Sequence, residues 1–209
     1  MDQVKAPCSW CGRVTTHNVL YEIFEQADDW VENNKIIRCA GCETVSFCRQ
    51  TDLKGDECVY FPSPVSRREP DWVLEMHIGL VGGDHDASLG DLFSEIYQAV
   101  NNRQYRLAAM GIRAALEQII INKISDHGTF FKNLDEFHKQ GYISLIQRDT
   151  VNNILEVGHA AIHRAYKPTK HDIYVCLDVI ESVIGIIYLH SERSERVVKT
   201  VTRRLRPKP

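Results

Sequence analysis

A chain of 209 residues with 44% apolar side chains is long enough for one or two ordinary domains, and two unequal domains fit its composition best. Its formal net charge of -3 excludes a globally basic nucleic-acid binder, so any contact with phosphate needs a local basic patch. No stretch approaches the roughly 18 uninterrupted apolar residues of a membrane span, and the first five residues lack the apolar segment of a signal peptide. We therefore expect a cytoplasmic protein without membrane contact, whose seven cysteines are metal ligands or ordinary thiols rather than disulfides.

The composition changes once along the chain, and this change predicts the domain division. Residues 6–61 are rich in cysteine and in β-forming side chains, whereas residues 89–200 show helical periodicity. The stretch 62–88 holds three prolines and a glycine-rich turn, which predict a linker. Residues 201–209 form a basic tail. The predicted fold class is α+β, with a small β-rich domain followed by an all-α helical bundle.

The elements follow in the same order. β-forming runs predict three strands in the first part, at Val14–Phe24, Lys35–Arg38 and Thr44–Cys48. Apolar periodicity predicts five helices in the second part, at Leu89–Asn101, Tyr105–Ser125, Leu134–Gln140, Ile143–Tyr166 and Asp172–Arg196. The last helix is apolar around much of its circumference, so we expect it to be central to the bundle or buried in a subunit interface.

Two cysteine pairs, each with a two-residue gap, predict a metal site formed by Cys8, Cys11, Cys39 and Cys42. This gap lets a tight turn direct both sulfurs at one ion, and two such turns supply the tetrahedron that zinc accepts. The spacer between the pairs is long enough for a hairpin, which is the construction of a zinc ribbon. Four thiolates leave no coordination position for water or substrate, so we expect a structural Zn²⁺ ion. An iron–sulfur cluster also takes four thiolates and stays an alternative, as does the interpretation of all four as small buried apolar residues.

Other residues of the first part are weaker candidates. His17 and Cys48 lie close enough in sequence to be alternative ligands, but we interpret His17 as a strand residue and Cys48 as a packed thiol. Cys58 and Cys176 have no evident partner in the sequence. Acidic residues cluster at the predicted hairpin tip, which favours a protein partner, or simple solubility, over phosphate contact.

Polar residues also recur at helical spacing in the second part. Arg113 and Glu117 are four residues apart and can pair on one helix face. Gly158 and Ala161 in the following long helix permit close approach of another helix. A polar ridge lies beside that apolar stripe and consists of Asn152, Glu156, His159, His163 and Tyr166.

Three segments carry a family resemblance: Arg113-Ala114-Ala115-Leu116-Glu117, the stretch from Leu134 to Ile143, and Gly158-His159-Ala160-Ala161-Ile162-His163. Together they resemble the bacterial domain of unknown function numbered 4145. That family often carries an N-terminal zinc ribbon similar to the one that begins at Cys8. It is grouped with the HEPN superfamily of helical bundles, many of which are dimeric ribonucleases or nucleotide-binding partners in defence and toxin systems. The resemblance implies a HEPN-like bundle, a homodimer, and a role in antiviral defence or nucleic-acid processing.

The active motif of that superfamily is an arginine, a polar residue and, some residues later, a histidine. His163 matches the histidine and His159 the polar position, but Gly158 occupies the arginine position, and His159 departs from the asparagine common in the 4145 family. The resemblance thus favours a non-catalytic binding module. The alternative is a metal-independent ribonuclease that uses His163 with Arg113 as the missing cation, supported by Glu117 and His159.

Two further interpretations of these residues remain open at the sequence level. Arg113, Glu117 and His163 can instead form a buried polar network that fixes helix packing. Glu156, His159 and His163 can also be metal ligands, because such spacing recurs in metal sites of helical bundles.

The C-terminal end is the clearest candidate for contact with RNA or DNA, although a solvated, frayed tail is the commoner explanation. Its cations are Arg193, Arg196, Lys199, Arg203, Arg204, Arg206 and Lys208. For assembly, we predict a symmetric homodimer formed by the helices that carry His163 and Ile180.

Overall fold

A computed structural model describes the backbone of residues 2–27, 30–51, 58–81 and 87–204. The chain divides into two compact units, Met1–Arg68 and Glu69–Pro209. The first consists of strands and the second of helices, which confirms the α+β fold class.

The first unit is a curled antiparallel sheet whose strands pair in chain order. Its described strands are β1 (Gln3–Pro7), β2 (Val14–Ala27), β3 (Trp30–Cys39), β4 (Val45–Thr51) and β5 (Cys58–Phe61). The three predicted strands are confirmed as parts of β2, β3 and β4, while the short β1 and β5 were missed. A register shift interrupts the pairing of β2 with β3, so that Val19 opposes Ile37 but Tyr21 opposes Ile36.

One face of this sheet, the inner face, holds a small apolar core. Ala6, Ile37 and Cys48 are its buried members, and four partly buried side chains pack against them: Val4, Val19, Cys58 and Tyr60. A core of this size supplies little of the free energy that folding requires, so a metal or another cross-link is expected to stabilise the sheet.

The second unit is helical. Its described helices are α1 (Asp71–His77), α2 (Ala87–Asn101), α3 (Tyr105–Ile124), α4 (Phe130–Lys139), α5 (Leu145–His163), α6 (Lys170–Ile184) and α7 (His190–Arg204). Side-chain caps explain where three of them begin. Thr129 caps α4, and Ser144 and Thr169 form capping boxes at α5 and α6. Helix α1 lies inside the stretch predicted to be a linker.

The last predicted helix is divided in the structure. A π-helical turn, Gly185–Leu189, separates α6 from α7. Ile173, Leu177, Ile180 and Ile184 of α6 are fully buried in the core of the helical unit. One stripe of α6 therefore packs in the core of the bundle, whereas Val175 on its other side is exposed.

Among the described residues, no single helix is long and apolar enough to cross a membrane. The segments Lys170–Leu189 and Arg193–Val201 meet the length and composition criteria only as a pair bent by 48°.

Candidate metal centre and helical motif residues

Two tight turns at one end of the sheet present the four cysteines. In the first turn, the Gly12 amide donates to Cys8 O at 3.0 Å, and Gly12 adopts a φ of 67°, which costs little without a Cβ. In the second turn, the Glu43 amide donates to Cys39 O at 3.0 Å. Both turns follow a strand, β1 and β3 respectively, so the pairing of the strands brings the two cysteine pairs together.

The four sulfurs form a compact cluster. All four Sγ atoms lie within 4.8 Å of one another. The Sγ atoms of Cys8 and Cys42 are 3.5 Å apart, and those of Cys11 and Cys39 are 4.0 Å apart. A tetrahedron with metal–sulfur bonds of about 2.3 Å has edges of about 3.8 Å. The cysteines therefore fit a single tetrahedrally coordinated ion.

This spacing also bears on the kind of metal group. A multi-iron cluster binds its thiolates to different iron atoms, which spreads the sulfurs further apart than one shared ion does. Sulfurs separated by 3.5 to 4.0 Å match one ion better. Because all four ligands are protein thiolates, the arrangement leaves no position for a substrate.

Hydrogen bonds prepare two of the thiols for the loss of a proton that metal binding requires. The backbone N–H of Cys42, the Thr15 hydroxyl and the backbone N–H of Gly41 lower the pKa of Cys39 to about 5. The Thr44 hydroxyl, 3.2 Å from Cys42 Sγ, lowers the pKa of Cys42. Contact with Cys42 and the other thiols raises the pKa of Cys11 to about 12.

Sequence reasoning missed Thr15 and Thr44. Thr44 stands two residues after Cys42, so its proximity to the cluster has a local signal. Thr15 Oγ1 reaches Cys39 Sγ at 3.3 Å only because β2 pairs with β3. Hydroxyl groups of this kind orient metal ligands and tune their basicity.

The remaining candidates of the sheet lie outside the cluster. His17 is a fully buried residue of β2, with Nδ1 3.2 Å from Thr15 O. Cys48 packs in the inner core, where burial raises its pKa to about 11, and its neighbour there is Cys58. Cys176 is buried in α6. His17 is thus a strand residue and Cys48 a packed thiol, as predicted.

In the helical unit, Arg113 is held by partners other than those the sequence indicated. Its Nη1 donates to Leu155 O at 3.3 Å, and its guanidinium carbon lies 5.5 Å from the centre of the Phe130 ring. Within the described part of the chain, Arg113 and Glu117 form no ion pair. The i, i+4 pair and the network of Arg113 with Glu117 and His163 are therefore absent from these residues.

Gly158 lies at a close approach of α3 and α5. A Cβ at this position would stand 2.9 Å from Arg113 Cβ and 3.0 Å from Ala109 O. The close helix approach predicted at Gly158 is confirmed. Since even a methyl group collides with α3 here, the arginine of the HEPN motif cannot be accommodated at this position without moving the helices.

His159 and His163 form an adjacent pair on α5. Their ring centroids are 4.6 Å apart, with His159 half-buried and His163 exposed. Glu156, which belongs to the same polar ridge, has its Oε2 3.8 Å from Arg164 Nη1. Over the described ranges, only the four cysteines form a cluster of three or more potential metal ligands, so Glu156, His159 and His163 do not converge as one.

The basic C-terminal end is partly described. On α7, Arg193 Nη2 lies 3.9 Å from Glu75 Oε2, and Lys199 Nζ lies 3.8 Å from Glu195 Oε2. The side chains of Arg196, Arg203 and Arg204, together with Arg206 and Lys208, lie outside the described residues.

Comparison with protein families identifies one match. Residues 94–206, more than half of the chain, match the family model described as Domain of unknown function (DUF4145). The matched range begins within α2 and runs beyond α7, so the cysteine cluster lies outside it. No curated protein and no solved structure matches the chain.

Proposed function

Since the chain belongs to the DUF4145 family, we propose that it is a non-catalytic binding module with two parts. In the first part, a structural zinc ion stabilises a zinc-ribbon domain. The second is a HEPN-like bundle, and the module binds a protein or nucleic-acid partner. The observation that carries this proposal is the compact set of four cysteine Sγ atoms within 4.8 Å, which fits one ion and leaves it no open position.

The role of the metal follows from the size of the sheet's core. Ligation of structural zinc contributes on the order of 10–16 kcal/mol, which can offset what a core of three buried residues lacks. Zinc has no redox chemistry and accepts four thiolates in a tetrahedron, which suits a purely structural site. When bound, the ion supplies coordination energy and no reaction.

Metal analysis of the purified full-length protein tests this part. We expect one equivalent of zinc, and we expect Cys42→Ser to lose the metal and to unfold the sheet while the helices remain. Cys58→Ser is the matched control, because this thiol lies on the same sheet outside the cluster, and it should keep the metal. Iron in place of zinc, or full metal content in Cys42→Ser, contradicts the proposal.

Two contacts support a non-catalytic helical unit. The guanidinium of Arg113 is engaged by Leu155 O and the Phe130 ring, so it is not free to stabilise a developing phosphorane charge. Gly158, at the position of the motif arginine, is packed against α3. The catalytic motif therefore lacks its arginine, while His163 and the polar His159 remain.

The alternative, a metal-independent ribonuclease, is favoured by one observation. His163 is exposed on α5, and His159 lies beside it at a ring distance of 4.6 Å, so two proton-transferring groups share one surface. Incubation of the pure protein with labelled RNA separates the two functions. We expect no cleavage. Cleavage that His163→Ala abolishes and the exposed control His171→Ala retains would establish the ribonuclease.

The proposal also places the module in a cellular setting. The cytoplasmic location follows from the cysteine pattern of the sequence, because thiols and thiolate ligands persist where the compartment is reducing. A role in bacterial defence or nucleic-acid processing follows only from the resemblance to HEPN bundles. A homodimer is also part of the proposal. Ile180 itself lies in the core of its own helical unit, so an interface on this helix would have to use other side chains of it.

A further inference from the structure

One surface of the sheet, the outer face, exposes a row of large apolar side chains. The strand registers align Tyr21, Ile36, Phe47 and Phe61 straight across β2, β3, β4 and β5. These side chains are 58%, 37%, 37% and 54% exposed. The rings of Phe47 and Phe61 are in contact, with centroids 6.1 Å apart. The row is thus a continuous apolar strip.

Neighbouring residues enlarge this strip. Ile23, Val45 and Val59 share the outer face and are exposed as well. With 150–250 Å² per aromatic side chain, the three rings of the row alone expose about 300 Å². Contiguous apolar patches that exceed a few hundred Å² mark interaction sites.

Charges flank the strip with opposite signs at its two ends. Arg38 stands beyond Ile36 on β3, at the end of the outer face nearest the cysteine cluster. Glu25 and Glu32 oppose each other at the other end. Arg38 and Glu32 are six residues apart on β3, which corresponds to about 20 Å. Among the described side chains, Glu32 already pairs with Arg49, whereas Arg38 and Glu25 form no ion pair.

We propose that the outer face binds the outer face of a second copy of this chain. Consider a two-fold axis that lies between the two sheets and runs perpendicular to their strands. It turns the second sheet so that the two outer faces meet with their strand directions reversed. With the axis at the level of Lys35, midway between Arg38 and Glu32, this operation packs the two apolar strips side by side, with their rows about 7 Å apart. It places Arg38 of each copy opposite Glu32 of the other, beside Glu25. The face is therefore complementary to itself, which an isologous dimer requires.

The charge pattern selects this orientation and this occupant. An axis parallel to the strands would place the Arg38 end of one copy on the same end of the other, which juxtaposes like charges. A nucleic acid fits this face less well, because its phosphates would lie against the carboxylates of Glu25 and Glu32. Specific stable interfaces bury about 1,200–2,000 Å² in total, and the lower bound is about 1,000 Å², or 500 Å² per copy. The strip therefore forms the centre of an interface at the small end of this range. The dimer should accordingly depend on protein concentration.

Light scattering of the metal-loaded, full-length protein tests the dimer. We expect wild type to dimerise with rising concentration and Phe47→Glu to stay monomeric, with unchanged circular dichroism and metal content. If Phe47→Glu misfolds, the circular dichroism and metal content reveal it, and the charge variants below carry the test. Ile146→Glu, at an exposed position of α5, is the control and should dimerise like wild type. A wild type that is monomeric at all accessible concentrations overturns the proposal, even if labelled single-stranded RNA then binds to the face.

Charge reversal tests the orientation. Arg38→Glu alone and Glu25→Arg alone should each weaken the homodimer at least tenfold, because each places like charges across the interface twice. A mixture of these two variants should form heterodimers of wild-type affinity, since opposite charges then meet at both ends. A mixture that dimerises no better than the separate variants refutes the two-fold arrangement. The metal content is measured in every sample, so that a loss of the dimer can be distinguished from a loss of the metal.

Discussion

Gly158 gives the sharpest test of how α3 and α5 pack. Replacing a helical glycine by alanine stabilises a helix by about 1 kcal/mol when the site is open. Here the new Cβ would meet Arg113 Cβ at 2.9 Å and Ala109 O at 3.0 Å, and neither atom belongs to the flexible end of a side chain. The helices must separate, and such overpacking costs about 1–3 kcal/mol.

The gain in helix propensity and the cost of overpacking oppose each other, and the cost of overpacking is larger. We expect Gly158→Ala to destabilise the helical unit by about 1 kcal/mol, which lowers its melting temperature by about 3–5 °C for a unit of this size. The melting temperature is measured by circular dichroism during heating. Asn153→Ala, an exposed position on the same helix, is the control and should gain about 0.5 kcal/mol from helix propensity alone.

The opposite sign would refute the reasoning. If Gly158→Ala melts above wild type by the gain that propensity predicts, α3 and α5 are not in close contact at this position. The functional corollary is that Gly158→Arg, which would introduce the arginine of the HEPN motif that the sequence resembles, should unfold the helical unit instead of creating a nuclease.

Three further predictions concern the metal, the bundle and pH. Thr44→Val, which removes the hydroxyl beside Cys42, should weaken zinc binding by about 10–100-fold in a competition with a chelator; an unchanged affinity would show that the hydroxyl is dispensable. Ile184→Glu should unfold the helical unit because this side chain is fully buried, whereas Val175→Glu on the exposed side of α6 should leave its circular dichroism unchanged. The Thr169 backbone N–H lowers the pKa of Asp172 from its ordinary value of 3.8. Its stabilising effect is therefore present above that value and lost as the pH falls through the lower folded pKa, so the melting difference between wild type and Asp172→Asn should vanish in acid. A difference that persists there would contradict this account.

Features with a local physical cause could be predicted from the sequence. The two-residue gap between cysteines is a property of a single turn, so Cys8, Cys11, Cys39 and Cys42 could be assigned to one cluster before their distances were known. Helical periodicity is likewise local, and the first four predicted helices lie close to their observed positions, whereas the fifth is divided by the π-helical turn. The short strands β1 and β5 had no such signal, because a strand of four or five residues acquires its structure from its neighbour.

Features that depend on which elements meet were decided only by the tertiary structure. The i, i+4 spacing allowed Arg113 to pair with Glu117, yet the approach of α5 supplies Leu155 O as its partner. The apolar character of α6 did not show which of its sides is buried, and the bundle decides that Ile180 lies in the core while Val175 is exposed. In the sheet, the register shift between Val19 and Tyr21 exchanges the faces along β2, so alternation in the sequence cannot indicate which side chains are exposed. Only the pairing of the strands from β2 to β5 aligns the apolar row of the outer face. Register is a relation between strands and not a property of any one of them.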